Sequence, residues 1–265
     1  MAVNEDVSVA KRIVDSSRRI VVLSGAGIST ESGIPDFRGP NGLWTRNPEA
    51  EKLSTLDYYM SDPEVRRRAW RNRLESPTWA AEPNAGHRSL VELEKRGTLE
   101  LIATQNIDGL HQAAGSDPDL VVELHGTMRE VKCMTCGKRS PMDGALDRVR
   151  AGEDDLHCLE PDVQGGSGSA VCGGILKSAT ISFGESLVAD DLRRAETAAA
   201  SCDLLLAVGS SLSVYPAAGM VPIAYRAGAN VVIVNAEPTE YDSIASAVLR
   251  GTIGEVLPRA LGVSG

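Results

Sequence analysis

Four stretches of the chain concentrate polar, titratable or small residues, three of them at the ends of apolar runs. Gly25-Ala26-Gly27-Ile28-Ser29 follows the β-branched run Arg19–Ser24. Small residues there let the backbone approach a pyrophosphate closely, and a helix starting behind them offers free N–H groups and a positive dipole end. Thr30 stands where the usual dinucleotide fingerprint has a third glycine, so a tight strand-to-helix turn without a ligand fits equally well. Gly33–Trp44 presents Phe37 and Arg38 between glycines and prolines, the mixture of hinge and contact residues that a lid over a cofactor needs; a plain connecting loop is the alternative. Thr104-Gln105-Asn106-Ile107-Asp108-Gly109-Leu110-His111 follows another apolar run. Its amides and carboxylate lie where open α/β sheets bind ligands, though Asn106 or Asp108 would also serve as a helix cap. In Glu123-Leu124-His125-Gly126-Thr127, His125 has the ordinary pKa of a general base, while a structural histidine is the alternative. His87, His111 and His157 read as structural. Cys133 and Cys136 form a C-x₂-C knuckle, half of a tetrahedral zinc site.

The elements that must position these groups follow a regular rhythm. Apolar runs at 19–24, 99–103, 120–124, 204–208 and 231–234 lack alternation, the pattern of strands buried on both faces of a parallel sheet. Helical patterns at 6–17, 86–95, 189–201 and 216–227 lie around and between them, so the fold class is α/β, a doubly wound, Rossmann-like parallel sheet. Two stretches break the rhythm. Residues 45–85 are polar, Arg- and Trp-rich and partly helical, and the arginines from Arg66 to Arg73 read as a solvated helix face. Residues 127–177 hold four of the five cysteines and the tract Gln164–Ser169, rich in glycine and serine, a small inserted module with a flexible loop.

Composition bounds the rest. A formal net charge of −9 excludes general affinity for a phosphate backbone. The start of the chain has acidic residues and no apolar run, and no stretch reaches membrane-span length, so a cytoplasmic location is expected. There the cysteines are thiols or metal ligands rather than disulfides, and Cys202, on an apolar helix end, is packing.

In order, G-A-G-I-S, G-I-P-D-F-R-G-P-N-G-L-W, T-Q-N-I-D-G-L-H, E-L-H-G-T, S-F-G-E (Ser182–Glu185), G-S-S-L-S-V-Y-P-A (Gly209–Ala217) and V-N-A-E-P-T (Val234–Thr239) resemble the motifs of bacterial sirtuins over about residues 8–260. The resemblance implies one sirtuin-type deacetylase domain over 1–265. Its NAD-binding Rossmann-like core would comprise 8–44, 98–126 and 178–262, with a helical insertion at 45–97 and a zinc-binding module at 127–177. It implies an NAD-dependent protein-lysine deacetylase, in which the acetyl-lysine carbonyl oxygen attacks C1′ of the nicotinamide ribose. Nicotinamide leaves, His125 takes a proton from the ribose hydroxyls, and O-acetyl-ADP-ribose and free lysine result. Gly25, Ala26 and Gly27 are implied at the pyrophosphate, with Phe37 and Arg38 in a mobile loop where Phe37 shields the ribose carbon. Gln105, Asn106, Ile107 and Asp108 are implied at the nicotinamide amide, with His125, Asn106 and Asp108 as the catalytic set. Gly209, Ser210 and Ser211 would form the second phosphate and ribose turn, Asn235 and Glu237 would meet the adenosine ribose, and Ile253 the adenine.

The same resemblance places the acylated peptide between Phe183-Gly184-Glu185 and Ser213-Val214-Tyr215 as an added strand, with Ile181, Phe183 and Val214 lining a lysine tunnel; simple core packing is the alternative for each. Desuccinylating relatives carry a Tyr-x-x-Arg pair where Ala69 and Asn72 stand here, so neutral acyl groups are expected. One structural zinc is implied, held by Cys133, Cys136, Cys158 and Cys172, with His157 as the substitute for Cys158; Ser169 occupies the usual place of a ligand. The implied partners are acetyl-lysine-bearing proteins, acyl-CoA synthetases and other metabolic enzymes among them, with no nucleic acid, no membrane and a monomeric state. Two other functions compete: a mono-ADP-ribosyltransferase using the same NAD site, and a non-enzymatic NAD or ADP-ribose sensor.

Overall fold

The computed structural model describes residues 2–37, 39, 42–47, 52–161 and 171–263. Helix α1 (Ala2–Ser16) leads into strand β1 (Ile20–Ser24), and short helices α2 (Leu43–Arg46), α3 (Leu56–Ser61) and α4 (Pro63–Leu74) precede α5 (Ala85–Lys95). Strand β2 (Leu99–Thr104), helix α6 (Leu110–Ala114) and β3 (Val121–Glu123) follow, then β4 (Gly126–Cys133), β5 (Arg139–Pro141), α7 (Met142–Arg150) and β6 (Leu176–Thr180). The chain closes with α8 (Ala189–Ser201), β7 (Leu204–Val208), α9 (Met220–Arg226), β8 (Asn230–Val234), β9 (Ala247–Leu249) and α10 (Ile253–Leu261). No described helix is long and apolar enough to cross a membrane.

The five apolar runs all lie in one six-stranded parallel sheet of order β3-β2-β1-β7-β8-β9. Their missing alternation has a direct cause, since every residue of β1 and β7 is buried. Odd and even positions still separate. Ile20 and Val22 of β1 join Leu206, Val208, Val232 and Val234 under α1, α5 and α10, while Val21 and Leu23 face Ala195, Ala198 and Ala199 of α8 and Met220 and Val221 of α9. Each such Val, Leu or Ile contributes about 1.5–3 kcal/mol of burial, which makes these two layers the main source of stability. The alanines of α8 let that helix lie close to the sheet. The sixth strand, β9, went unseen in the sequence, because three residues are too few to show a pattern. The pattern at 216–227 resolves into a 3₁₀ turn, Ala217–Gly219, followed by the shorter α9.

Strand order reverses between β1 and β7, which pair in register from Ile20↔Leu204 to Ser24↔Val208. In such a sheet a crevice opens at the carboxyl ends of those two strands.

A second, antiparallel sheet of order β5-β4-β6 carries the cysteines, with Cys133 opposite Leu176. Helix α4 closes over it. Trp70 is 2% exposed and packs with Val131, Cys133, Met142, Leu146, Leu156 and Cys158. The arginine run is therefore not a uniformly solvated face. Arg66, four residues before Trp70 on the same side of the helix, is buried and forks onto Asp155 at 2.6 and 2.8 Å. Burial also pulls the Arg73 guanidinium down to about 10. The Gly/Ser tract 164–169 lies outside the described residues.

Candidate active site and metal centre

Two turns meet at the reversal point. Gly25 N–H donates to Val208 O at 2.9 Å and Gly27 N–H to Gly209 O at 2.8 Å. A Cβ on Gly25 would lie 2.8 Å from Gly209 O, and one on Gly27 would lie 2.7 Å from Gly209 Cα. Gly209 itself has φ +65, and its Cβ would fall 2.3 Å from Ile28 N. Only glycine lets the backbones approach this closely, at the crevice where such sheets bind phosphates. Behind Gly25 the helix that follows the turn is a 3₁₀ helix, Ala26–Ser32. Ala26 is half-buried on its first turn.

Beside this turn, at the carboxyl end of β2, Asn106 and Asp108 are buried. Asn106 Nδ2 donates to Gly25 O at 3.2 Å and to Ser29 Oγ at 3.1 Å. The Ser29 hydroxyl donates to Asp108 Oδ2 at 2.8 Å, and Leu110 N–H to Asp108 Oδ1 at 2.9 Å. Ser29 therefore joins amide to carboxylate, a role the sequence did not single out; its only signal was a hydroxyl within the glycine turn. Asp108 also serves the start of α6, as the capping alternative held, whereas Asn106 does not. Burial raises the Asp108 pKa, and the Leu110 N–H and Ser29 hydroxyl oppose that rise. Arg129 donates to Asp108 O at 3.2 and 2.9 Å from one side chain, which lies 5.3 Å from the Trp79 ring centre. Gln105 Nε2 donates to Ser210 Oγ at 2.9 Å and so bridges β2 to the Gly209 turn, while Ile107 is half-buried.

His125 follows β3. Its Nδ1 is 3.0 Å from Gln105 O. A carbonyl only accepts, so Nδ1 carries the proton and Nε2 keeps its lone pair. Burial lowers the pKa, and the bond to Gln105 opposes this. The neutral ring is thus favoured, with one nitrogen available as a base. Two residues away, burial pushes Glu123 up to about 7. His87 and His111 are interior groups, their rings 5.2 Å apart. His111 Nε2 lies 2.8 Å from Ser24 Oγ, and His87 Nδ1 accepts from Asn84 N–H at 3.4 Å.

The remaining expected site residues lie on several elements. Phe37 is exposed, and Arg38 lies outside the described residues. Ser211 is exposed beside Leu212, whose φ of 55 bends the segment sharply while its side chain stays buried. Asn235, after β8, donates from Nδ2 to Glu237 O at 2.8 Å, and the Glu237 side chain is exposed. Ile253 is buried in the core at the start of α10. Ile181 N–H donates to His125 O at 2.8 Å. Phe183 pairs through its backbone with residues 54–56, Gly184 is exposed, and Glu185 turns inward. Val214 is half-buried.

The four cysteines converge. Their sulfurs all lie within 4.8 Å of one another, Cys133 3.7 Å from Cys172 and Cys136 3.8 Å from Cys158. A tetrahedral zinc–thiolate centre with bonds of about 2.3 Å spaces its sulfurs about 3.8 Å apart, so the donor set and its dimensions fit one zinc ion. His157 is not in the cluster; its Nδ1 donates to Asp155 O at 3.0 Å. Burial raises the Cys133 thiol, yet the N–H groups of Cys136 and Thr135 and the neighbouring thiols outweigh it and bring it to about 7. Cys202 is buried away from the four, and burial raises its thiol to about 11.

Comparison with known proteins agrees with this geometry. The Sir2 family profile matches residues 25–216. The NAD-dependent protein deacetylase 2 of Streptomyces coelicolor is 52% identical over 242 residues, covering 91% of this chain and 96% of its own. The NAD-dependent protein deacetylase 1 of Bradyrhizobium diazoefficiens is 42% identical, covering 92% and 91%. A solved Sir2 complex with a p53 peptide and NAD+ is 36% identical, covers 95% of each chain and has a TM-score of 0.81. Sir2 bound to an acetylated peptide is 34% identical, covers 96% of this chain and 97% of that one, also with a TM-score of 0.81. Both glycine turns, the polar ends of β2 and β3 and the cysteine module fall inside the matched span, and the likeness continues over nearly the whole length: the chain belongs to the Sir2 family.

Proposed function

We propose that this protein is an NAD-dependent protein-lysine deacetylase that transfers the acetyl group to ADP-ribose and releases nicotinamide. One observation carries the reading. A pair of glycine-packed turns, a buried amide and carboxylate joined by Ser29, and an imidazole held at Nδ1 by Gln105 O all converge at the carboxyl edge of the parallel sheet. When bound, NAD supplies the ribosyl group that takes the acyl oxygen. Gly25, Ala26 and Gly27 with Gly209, Ser210 and Ser211 bind its phosphates and ribose through main-chain N–H groups and hydroxyls. Asn235, Glu237 and Ile253 take the adenosine end, and Phe37 and Arg38 cover the ribose. Gln105, Asn106, Ile107 and Asp108 hold the nicotinamide amide, with Asp108 accepting its N–H. His125 accepts a ribose hydroxyl proton at Nε2, while Gln105 O keeps Nδ1 protonated.

The acylated lysine enters beside Ile181, Phe183 and Val214, and its flanking backbone lies along Phe183-Gly184-Glu185. Main-chain pairing of this kind makes sequence preference loose. Neutral acyl groups fit best. The substrates are acetyl-lysine-bearing proteins, acyl-CoA synthetases and other metabolic enzymes among them, and the protein acts as a cytoplasmic monomer. Residues 8–44, 98–126 and 178–262 serve as the NAD-binding core, 45–97 as the helical insertion and 127–177 as the zinc module. Four thiolates fill all zinc positions, so the metal holds structure and takes no part in the reaction.

The test is nicotinamide release from NAD with and without an acetylated peptide, together with mass analysis of the products. Release that requires the peptide and yields O-acetyl-ADP-ribose is expected. Release without peptide, with ADP-ribose remaining on protein, would overturn the proposal.

A further inference from the structure

Lys177 sets an ammonium at a buried position of β6. Its side chain is 5% exposed, within β6, opposite Lys132 of β4. A buried ammonium needs a compensating partner. Lys177 Nζ donates to Thr180 O and lies 3.1 Å from Glu185 Oε2. Glu185, 18% exposed, also accepts from Ser182 N–H through the same oxygen at 3.2 Å. Glu185 N–H in turn donates to Ser182 O at 3.0 Å. The turn Ser182–Glu185 is therefore closed twice, once through backbone and once through a carboxylate that a buried cation anchors to β6.

The chain entering that turn is tied on two sides. Phe183 N–H donates to Ser54 O at 2.8 Å, Leu56 N–H donates to Phe183 O at 2.9 Å, and Ile181 N–H reaches His125 O at 2.8 Å. The ammonium thus lies under a segment that touches the helical insertion on one side and the backbone of the candidate base on the other. We infer that the Lys177–Glu185 pair is the strut that presents the turn Ser182–Glu185 to the acylated peptide. Lys177 is then a positioning residue for peptide binding, and Glu185 acts through its carboxylate on the turn rather than on the peptide. The inference rests on the deacetylase reading and adds to it a residue remote from NAD.

The experiment compares the wild type with Lys177→Met, Lys177→Arg and Glu185→Gln, measuring peptide KM, kcat, NAD affinity by calorimetry, zinc content and melting temperature. Lys177→Met leaves the Glu185 carboxylate without its cation, so the turn loosens and peptide KM rises about tenfold, while NAD affinity and zinc content stay at wild-type values. Lys177→Arg restores most of the loss. Glu185→Gln keeps an oxygen for Ser182 N–H but loses the charge, and shifts KM the same way by less. Unchanged peptide KM in Lys177→Met, failure of Lys177→Arg to rescue, or NAD affinity falling in step with KM would overturn the strut. If Lys177→Met does not fold, Glu185→Gln decides by the same criteria. An inactive wild type would remove the functional reading and the strut together, whereas an active wild type with indifferent variants would remove the strut alone.

Discussion

At the scale of single residues the chemistry rests on which nitrogen of His125 is occupied. Gln105 O fixes the proton on Nδ1, and burial keeps the ring neutral, so the lone pair of Nε2 is available at ordinary pH. His125→Ala should lower turnover by about 10²–10⁴-fold while leaving NAD binding intact, because the imidazole supplies proton transfer and no part of the phosphate turns. Kinetics and calorimetry on one preparation check both halves. Only the neutral ring accepts a proton, so activity must rise with pH through a pKa below 6.5 and level off above it. A profile of kcat/KM for the peptide with its acid limb above 6.5 would contradict the assignment.

The small antiparallel sheet rests on a smaller apolar cluster than either face of the large one. Its core is a small set of side chains around Trp70, and the cysteine cluster ties the knuckle Cys133–Cys136 to the segments that carry Cys158 and Cys172. Four sulfurs drawn together without a metal would be a poor source of stability; with one they form a cross-link. Cys158→Ser should therefore bring metal content below one per chain and lower the melting temperature of this lobe, while the six-stranded core still binds NAD. Metal analysis, calorimetry and NAD titration on the variant test this, and full metal occupancy would remove Cys158 from the ligand set. Burial in the same lobe explains why Arg66, in a stretch that reads as polar, is no surface charge: its fork to Asp155 ties α4 to the loop before Cys158.

Over the whole molecule, acid should loosen the fold from beneath the site. Burial lowers His87 to about 4 and His111 to about 3, both from 6.5. A histidine depressed in the folded state contributes stability above 6.5, and that contribution falls away as pH drops toward the folded value. Glu123 works the other way. Its rise from 4.5 to about 7 favours the folded state as pH falls through that window. Two histidines outweigh one carboxylate, so the melting temperature should decline between pH 6.5 and 4.5, and Glu123→Gln should steepen the decline. Calorimetry in pH steps measures it; a melting temperature that rises on acidification would contradict the balance.

The residue order alone determined the architecture and the inventory of chemistry. Uninterrupted apolar runs require strands covered on both faces, and the glycines, amides and histidine at their ends mark the ligand edge of the sheet. Local patterning has a short reach, which is why three-residue β9 and the 3₁₀ form of 26–32 were not legible. What only the tertiary structure decided are relations between residues far apart in the chain. Ser29 joins Asn106 to Asp108 across 77 and 79 positions, and Lys177 finds Glu185 around a turn. Cys158, and not His157, brings its donor atom into the cluster. Such contacts depend on where the backbone places each side chain in three dimensions, and no periodicity along the sequence encodes that distance.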